Sequence, residues 1–209
     1  MLLGALSNHE FPARILDAGA GCGVLGLMMA QRYPNAQITC IEVDEKAADE
    51  CFKNVESSPF RERIKVIQGD LLAPLASEFD LIISNPPYYF TDNSSSQRNH
   101  IEKHSTSEDF TAWIRACYSL LSAHGTYWMI YPSNQAEIVA YCTRSSDFHE
   151  SKRFILLNQN QQAVRIISAY SKQHTLLEES NIAIRNSDGT YSTEYLELTK
   201  EFHAKTPLR

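Results

Sequence analysis

A regular alternation of strand-like and helix-like segments over residues 14–88 constrains the fold more than any other feature of the sequence. Four short apolar or β-branched runs alternate with two segments of helical composition; the runs are 14–17, 37–42, 63–68 and 79–84, and the helical segments are 24–32 and 44–55. Strands that alternate with helices form right-handed βαβ units and a parallel sheet covered on both faces. Ligands bind such sheets outside the carboxyl ends of the strands. The sequence therefore predicts an α/β fold with a site at that edge.

The remainder of the chain continues the same pattern after a long polar loop at 90–108. Helices are predicted at 108–121, 133–145 and 193–204, and strands at 126–131, 153–157 and 163–171. Asp188-Gly189 is a turn signal between 182–185 and 190–191, which predicts a hairpin before the last helix. No domain boundary is visible, so we expect a single domain over 1–209.

Composition and charge narrow the class of protein. Hydrophobic residues make up 43% of the 209 residues and charged residues 21%, which is typical of a globular domain and excludes a disordered chain. No apolar run is long enough to span a bilayer. The five cysteines include no C-x-x-C pair, which predicts reduced thiols in a cytoplasmic protein. The seven histidines show no ligand spacing, so no metal site is predicted. The net charge of -6 argues against non-specific coating of nucleic acid.

The first strand runs into a glycine-rich loop, Asp17-Ala-Gly-Ala-Gly-Cys-Gly23. Gly19, Gly21 and Gly23 allow a tight turn and the close approach of a ligand at the start of a helix. The dinucleotide fingerprint G-x-G-x-x-G requires a glycine where this chain has Val24, which disfavours an NAD-dependent dehydrogenase. The Gly-Lys-Ser/Thr sequence of a P-loop is absent.

Acidic residues follow three successive strands: Asp17, then Glu42 with Asp44 close behind, then Asp70. An acid followed by G-x-G-x-G resembles the first motif of class I S-adenosylmethionine-dependent methyltransferases. The resemblance implies a Rossmann-like, mostly parallel, seven-stranded sheet with helices on both faces. It also implies S-adenosyl-L-methionine as cofactor and S-adenosyl-L-homocysteine as product.

The same resemblance assigns roles to these residues. Asp17 and the three loop glycines would hold the methionine end of the cofactor, and Asp70 with Leu71 would lie at the adenine. Glu42 is the favoured ligand of the ribose hydroxyls, because a carboxylate at the strand end can accept both hydroxyl hydrogens. Asp44 competes for that role and is about equally suited to cap the following helix.

Asn85-Pro86-Pro87-Tyr88 is the most specific motif in the chain. Two prolines fix the backbone dihedrals and remove two N–H donors, so the fourth strand must end there in a rigid turn. The motif resembles that of amino-methyltransferases, which methylate a planar nitrogen. The resemblance implies that the Asn85 side chain and the Pro86 carbonyl accept the two hydrogens of that nitrogen. Asn85 would also border the cofactor, and Tyr88, set by Pro87, would stack on the substrate.

Three further segments resemble one family throughout. They are Met1-Leu-Leu-Gly-Ala-Leu6, Ile41-Glu-Val-Asp44 with Asn54 downstream, and the tail from Tyr191 to Phe202. The family is that of the bacterial methyltransferases that make N6-methyladenosine beside the anticodon of a valine tRNA. The resemblance covers nearly the whole chain and implies a tRNA substrate and a cytoplasmic monomer that binds neither membrane nor metal. In that family a further stretch, absent from this sequence, precedes the first segment and helps to close the cofactor site.

This resemblance divides the predicted domain into a cofactor-binding half, 14–88, and a substrate-side half, 89–209, with the hairpin and last helix at its end. Alternative functions are a protein glutamine N5-methyltransferase, another RNA or DNA amino-methyltransferase, and a non-catalytic protein that binds S-adenosylmethionine or RNA. Five basic residues are candidate phosphate contacts: Arg98, Lys103, Lys152, Arg153 and Arg165. Three aromatic residues are predicted to lie in the core: Trp113, Tyr118 and Trp128.

Overall fold

A computed structural model describes residues 1–75, 78–86 and 107–203 of the chain. The strands are β1 (Arg14–Ala18), β2 (Gln37–Glu42), β3 (Ile64–Gln68), β4 (Phe79–Ser84), β5 (Leu121–Pro132), β6 (His149–Leu157), β7 (Ala163–Ser171) and β8 (Glu178–Ala183). The helices are α1 (Leu2–Leu6), α2 (Val24–Arg32), α3 (Glu45–Glu56), α4 (Ser107–Leu120), α5 (Ala136–Arg144) and α6 (Thr193–Thr199). Short 3₁₀ turns occupy Arg61–Arg63, Ser133–Gln135 and Lys200–Phe202.

The strands form one mixed sheet in the order β3-β2-β1-β4-β5-β7-β6-β8. Strands β1 to β5 are parallel to one another, and β7 runs antiparallel to both β5 and β6. The chain leaves β1 towards one side of the sheet through β2 and β3, and then returns to place β4 on the other side of β1. The point between β1 and β4 is therefore the topological switch point, where ligands bind in such sheets.

The predicted α/β class is confirmed, but the expected number of strands was wrong. The sheet has eight strands, because Glu178–Ala183 adds to β6 in parallel. This edge strand carries a run of exposed polar residues, Glu178-Glu-Ser-Asn181, so it lacks the apolar alternation that marks a strand. The predicted hairpin around Asp188-Gly189 is reduced to an isolated bridge between Arg185 and Tyr191.

Helices cover both faces of the sheet. On one face, α4 and α5 pack through Phe110, Ile114 and Val139 against Tyr127 and its neighbours. On the other face, α1, α2, α3 and α6 pack on a second core. That core includes Leu3, Met29, Cys51 and Trp128. All five cysteines are free thiols.

Arg32, the last residue of α2, contacts both the amino-terminal helix α1 and the carboxyl-terminal 3₁₀ turn. Its guanidinium donates hydrogen bonds to the carbonyls of Gly4, Ala5 and Ser7 at 3.0, 2.8 and 2.7 Å. The same group lies 5.2 Å from the centre of the Phe202 ring. Helix α1 has five residues, which is too few for stability on its own. It is held by Arg32 because the guanidinium satisfies carbonyls at its end.

Candidate active site

The glycine loop is tied to β2 and opens towards solvent at its centre. The amides of Gly19 and Ala20 donate to the carbonyl of Ile41 at 2.9 and 3.0 Å. Gly19, Gly21 and Gly23 all have positive φ, at 70°, 53° and 84°. A Cβ on Gly23 would lie 2.6 Å from the Sγ of Cys51, whereas one on Gly21 would meet no atom of the described residues within 4 Å. Gly23 is therefore required for packing, and Gly21 faces the space that a ligand can enter.

Asp17 lies beneath this loop and is completely buried. Its Oδ2 accepts a hydrogen bond from the amide of Gly26 at 2.7 Å, and its Oδ1 has no partner among the described residues. Burial raises the pKa of Asp17 to about 7, the Gly26 amide opposes that rise, and the charge of Glu42 adds to it. A buried oxygen without a hydrogen bond is costly, so the site favours a ligand or water that can donate to it.

Glu42 and Asp44 use their carboxylates differently. Glu42 is half-buried and bridges the end of β2 to the glycine loop: its Oε2 accepts from the amide of Gly21 at 2.8 Å. Its Oε1 accepts from the amide of Asp44 at 3.0 Å. The exposed Asp44 caps α3, and its Oδ1 accepts from the amide of Ala47 at 2.9 Å. Glu42 therefore contacts the glycine loop, whereas Asp44 caps α3.

Asp70 and Leu71 follow β3 on the same edge of the sheet. The amide of Gly69 donates to the carbonyl of Glu42 at 2.8 Å, which fixes this turn beside the end of β2. Asp70 is exposed and its Oδ1 accepts from the amide of Leu72 at 2.9 Å. Leu71 is buried in the core beneath α4. The three acids predicted from the sequence thus lie at the carboxyl ends of three neighbouring strands.

Asn85 and Pro86 lie next to the glycine loop although 66 residues separate Asn85 from Gly19 along the chain. Register pairs Ser84 of β4 with Ala18 of β1, so the residues that follow both strands emerge side by side. Asn85 is exposed and Pro86 is buried. Beneath them, the buried hydroxyls of Ser84 and Tyr127 share a hydrogen bond of 2.8 Å. Pro87 and Tyr88 lie outside the described residues, as do Arg98 and Lys103.

Two residues at the loop were not assigned to it from the sequence. Trp113 on α4 packs on the core, as predicted, but its ring edge also reaches the loop: its Cη2 lies 3.0 Å from the position of a Cβ on Gly19. The side-chain amide of Asn54 on α3 donates to the carbonyl of Cys22 at 2.9 Å. Asn54 carried a signal through the family resemblance, whereas the helical pattern around Trp113 gives no indication of this contact.

The part of the chain that the structure describes contains neither a candidate metal site nor a membrane-spanning helix. No group of three histidine, cysteine, aspartate or glutamate side chains is arranged there to hold a metal ion. Within the same residues, every helix is too short or too polar to cross a bilayer.

The fold and the site together define a class of protein. A sheet with one antiparallel strand, a glycine loop after β1 and an Asn-Pro turn after β4 meet at one switch point. This is the arrangement of a Rossmann-like methyltransferase.

Comparisons with known proteins identify the family. The methyltransferase small domain family matches residues 1–137. The tRNA1(Val) (adenine(37)-N6)-methyltransferase of Aeromonas hydrophila is 31% identical over 208 residues, which cover 98% of this chain and 88% of the relative. The same enzyme of Pedobacter heparinus is 32% identical over 97% of this chain and 88% of its own length. The chain belongs to the methyltransferase small domain family and to the family of the tRNA1(Val) (adenine(37)-N6)-methyltransferases.

Solved structures share the fold. A predicted O-methyltransferase from Agrobacterium tumefaciens superposes with a TM-score of 0.72 and 21% identity, covering 99% of this chain and 98% of its own. The glycopeptide N-methyltransferase MtfA, solved with S-adenosyl-L-methionine, superposes with a TM-score of 0.60 and 12% identity. That match covers 77% of this chain and 82% of MtfA.

Proposed function

We propose that this enzyme transfers a methyl group from S-adenosyl-L-methionine to the exocyclic N6 of adenine 37 in tRNA1(Val), next to the anticodon. The observation that carries the proposal is the Asn85-Pro86 turn, which lies beside the glycine loop at the carboxyl edge of the sheet. The substrate is taken from the names of the relatives, which match nearly the whole chain. The active protein would be a cytoplasmic monomer, with residues 14–88 as its cofactor half.

The residues around the glycine loop fit the cofactor. The unpartnered Oδ1 of Asp17 and the open space at Gly21 suit a polar ligand that approaches the backbone closely. Asp17, Gly19, Gly21 and Gly23 would hold its methionine end, Glu42 would accept from the ribose hydroxyls, and Asp70 with Leu71 would border the adenine. When bound, the cofactor supplies an electrophilic methyl group.

Asn85 and Pro86 would prepare the acceptor nitrogen. The lone pair of an exocyclic amino group is delocalised into the ring, so the nitrogen is a poor nucleophile. The Asn85 side-chain oxygen and the Pro86 carbonyl would accept its two hydrogens and favour a more tetrahedral nitrogen. Pro87 would fix the turn, and Tyr88 would stack on the adenine, as aromatic residues hold extruded bases. The catalytic gain would come from positioning and fixed dipoles rather than from a strong base.

The proposal is tested by methyl transfer from labelled S-adenosyl-L-methionine to an unmodified valine tRNA transcript, followed by nucleoside analysis of the digest. The expected product is N6-methyladenosine, and prior ribonuclease treatment removes the signal. A glutamine-containing release-factor peptide serves as the competing acceptor. Transfer to the peptide and not to the tRNA would overturn the proposal in favour of glutamine methylation.

A further inference from the structure

The basic residues near the substrate side of the sheet differ in their freedom to contact a ligand. Arg153 is held in ion pairs, at 2.5 Å to Glu150 and 3.0 Å to Glu179. Lys152 lies 3.8 Å from Glu178. Arg165 is exposed and forms no ion pair or side-chain hydrogen bond with the described residues. Of the three candidate phosphate contacts that the structure describes, Arg165 is therefore the one whose charge is uncompensated.

Arg165 also lies at the carboxyl edge of the sheet, the same edge as the glycine loop and Asn85. Register pairs it with Pro132, three residues beyond Met129, and Met129 is paired with Ser84. Arg165 thus lies two strands away from Asn85 and about two residues further towards the carboxyl edge of the sheet. With ordinary strand spacing and rise per residue, the two Cα atoms are about 12 Å apart. An arginine at that distance can reach the backbone of a nucleotide that neighbours the acceptor.

The turn between β6 and β7 presents amide side chains beside Arg165. Asn158 organises the turn: its Oδ1 accepts from the amides of Asn160 and Gln162 at 2.9 and 3.1 Å. Gln159, Asn160 and Gln161 are exposed, and their side-chain amides have no hydrogen-bond partner among the described residues. Asn158 thus holds the backbone of the turn, and three exposed side chains that can both donate and accept remain available to a ligand.

The neighbouring turn brings one acidic residue, Asp188, close to this surface. Gln159 lies next to that turn: a Cβ on Gly189 would lie 3.6 Å from the Oε1 of Gln159. Asp188, the acid of that turn, accepts from the amide and the hydroxyl of Thr190 at 2.9 and 2.6 Å. Its carboxylate is thus held within its own turn but keeps its negative charge, and Arg165 is the positive charge of this surface.

We infer that Gln159, Asn160, Gln161 and Arg165 form an RNA-binding surface, the amide surface, that holds the single-stranded nucleotides next to the methylated adenine. Arg165 contacts a phosphate, and the three amides donate to and accept from the edges of unstacked bases. Single-stranded loops are recognised in this way, because their base edges are free. The inference rests on the proposed function and names the surface through which the tRNA is held.

The test compares arginines at opposite edges of the sheet. Arg165→Glu should raise the Kd for tRNA1(Val) about tenfold, because a phosphate contact is replaced by repulsion. Arg165→Ala should reduce the slope of log K against log salt by about 1. Arg14 is also exposed and lacks a side-chain partner among the described residues, but it begins β1 at the amino edge. Arg14→Glu, which makes the same change in charge, should leave the Kd unchanged.

A second variant keeps the inference testable if the arginine substitution perturbs folding. Gln159→Ala with Gln161→Ala should also weaken tRNA binding, while the Kd for S-adenosyl-L-homocysteine stays that of the wild type in all variants. Equal tRNA affinity in the Arg165→Glu, Arg14→Glu and wild-type proteins would overturn the amide surface alone. A wild-type protein that neither binds nor methylates tRNA would instead refute the proposed function, and the inference with it.

Discussion

At the scale of single residues, the site depends on carboxylates that differ in burial and in partners. Glu42 is half-buried and binds the amide of Gly21, whereas Asp44 is exposed and binds the first turn of α3. Asp17 is buried and binds Gly26 with one oxygen. These three acids therefore have different structural roles, although each follows or ends a strand. The role of each depends on which groups its carboxylate oxygens contact.

Glu42 and Asp44 can be separated by substitution. Glu42→Ala should weaken the binding of S-adenosyl-L-homocysteine strongly, because both the proposed ribose contact and the support of Gly21 are lost. Asp44→Ala should leave that affinity nearly unchanged and lower the free energy of unfolding by about 1 kcal/mol, the usual effect of removing a helix cap. Calorimetric titration and urea denaturation measure the two effects. Weaker binding in the Asp44 variant alone would move the ribose contact to Asp44.

Asp17 should make the stability of the protein depend on pH. Its pKa is raised from 3.8 to about 7 by burial, so between those values the folded state retains a proton that the unfolded chain releases. Its contribution to the free energy of unfolding therefore falls as pH rises from about 4 to about 7 and is constant above that range. As the pH rises through this range, the Asp17→Asn variant should therefore become more stable relative to wild type.

Urea denaturation of both proteins at pH 4, 5.5 and 8 measures this difference. Asp188 provides the contrast, because hydrogen bonds from Thr190 lower the pKa of its carboxyl. The pH-dependent effect of Asp188→Asn therefore falls below about pH 4, and its stability difference from wild type should be nearly the same at the three pH values. A difference between wild type and Asp17→Asn that is the same at all three pH values would show that Asp17 titrates normally.

At the scale of elements, the sequence predicts the strands that carry an apolar pattern well and the elements that lack one poorly. Strands β1, β2 and β4 carry continuous apolar runs because both of their faces are covered, and their bounds agree with the prediction within a residue. Strand β8 was missed since its run of exposed polar residues carries no apolar pattern. Helix α1 was also missed, because it is short and held by distant contacts.

The same distinction applies to the site. The positions of the glycine loop and of Asn85 follow from local sequence, because each comes directly after a strand that the apolar pattern marks. The approach of Trp113 to Gly19 depends on how α4 packs across the sheet, so no local pattern could predict it.

Arg32 should be important for stability through the elements that it joins. Arg32→Ala removes three hydrogen bonds to the end of α1 and the contact with the Phe202 ring. The free energy of unfolding should fall by about 2 kcal/mol, since hydrogen bonds from a charged group are stronger than average. Arg14→Ala, the exposed control, should change it by no more than about 0.5 kcal/mol. Urea denaturation of both variants tests the expectation, and equal effects would contradict it.

At the scale of the whole molecule, the strand order brings two distant motifs together. The glycine loop follows β1 and the Asn85-Pro86 turn follows β4, and these strands are neighbours because the chain first builds β2 and β3 on the far side. The loop after β1 thus provides the proposed cofactor pocket, and the turn after β4 provides the proposed acceptor contacts. The central claim is that this loop and this turn meet at an adenine of tRNA.

That claim is tested most directly with two valine tRNA transcripts, one with adenine and one with guanine at position 37, and with wild-type and Asn85→Ala proteins. Wild type should form N6-methyladenosine only in the adenine transcript. Asn85→Ala should bind S-adenosyl-L-homocysteine with little change in affinity and lose nearly all transfer. Equal methylation of both transcripts, or undiminished transfer by the Asn85→Ala protein, would contradict the account.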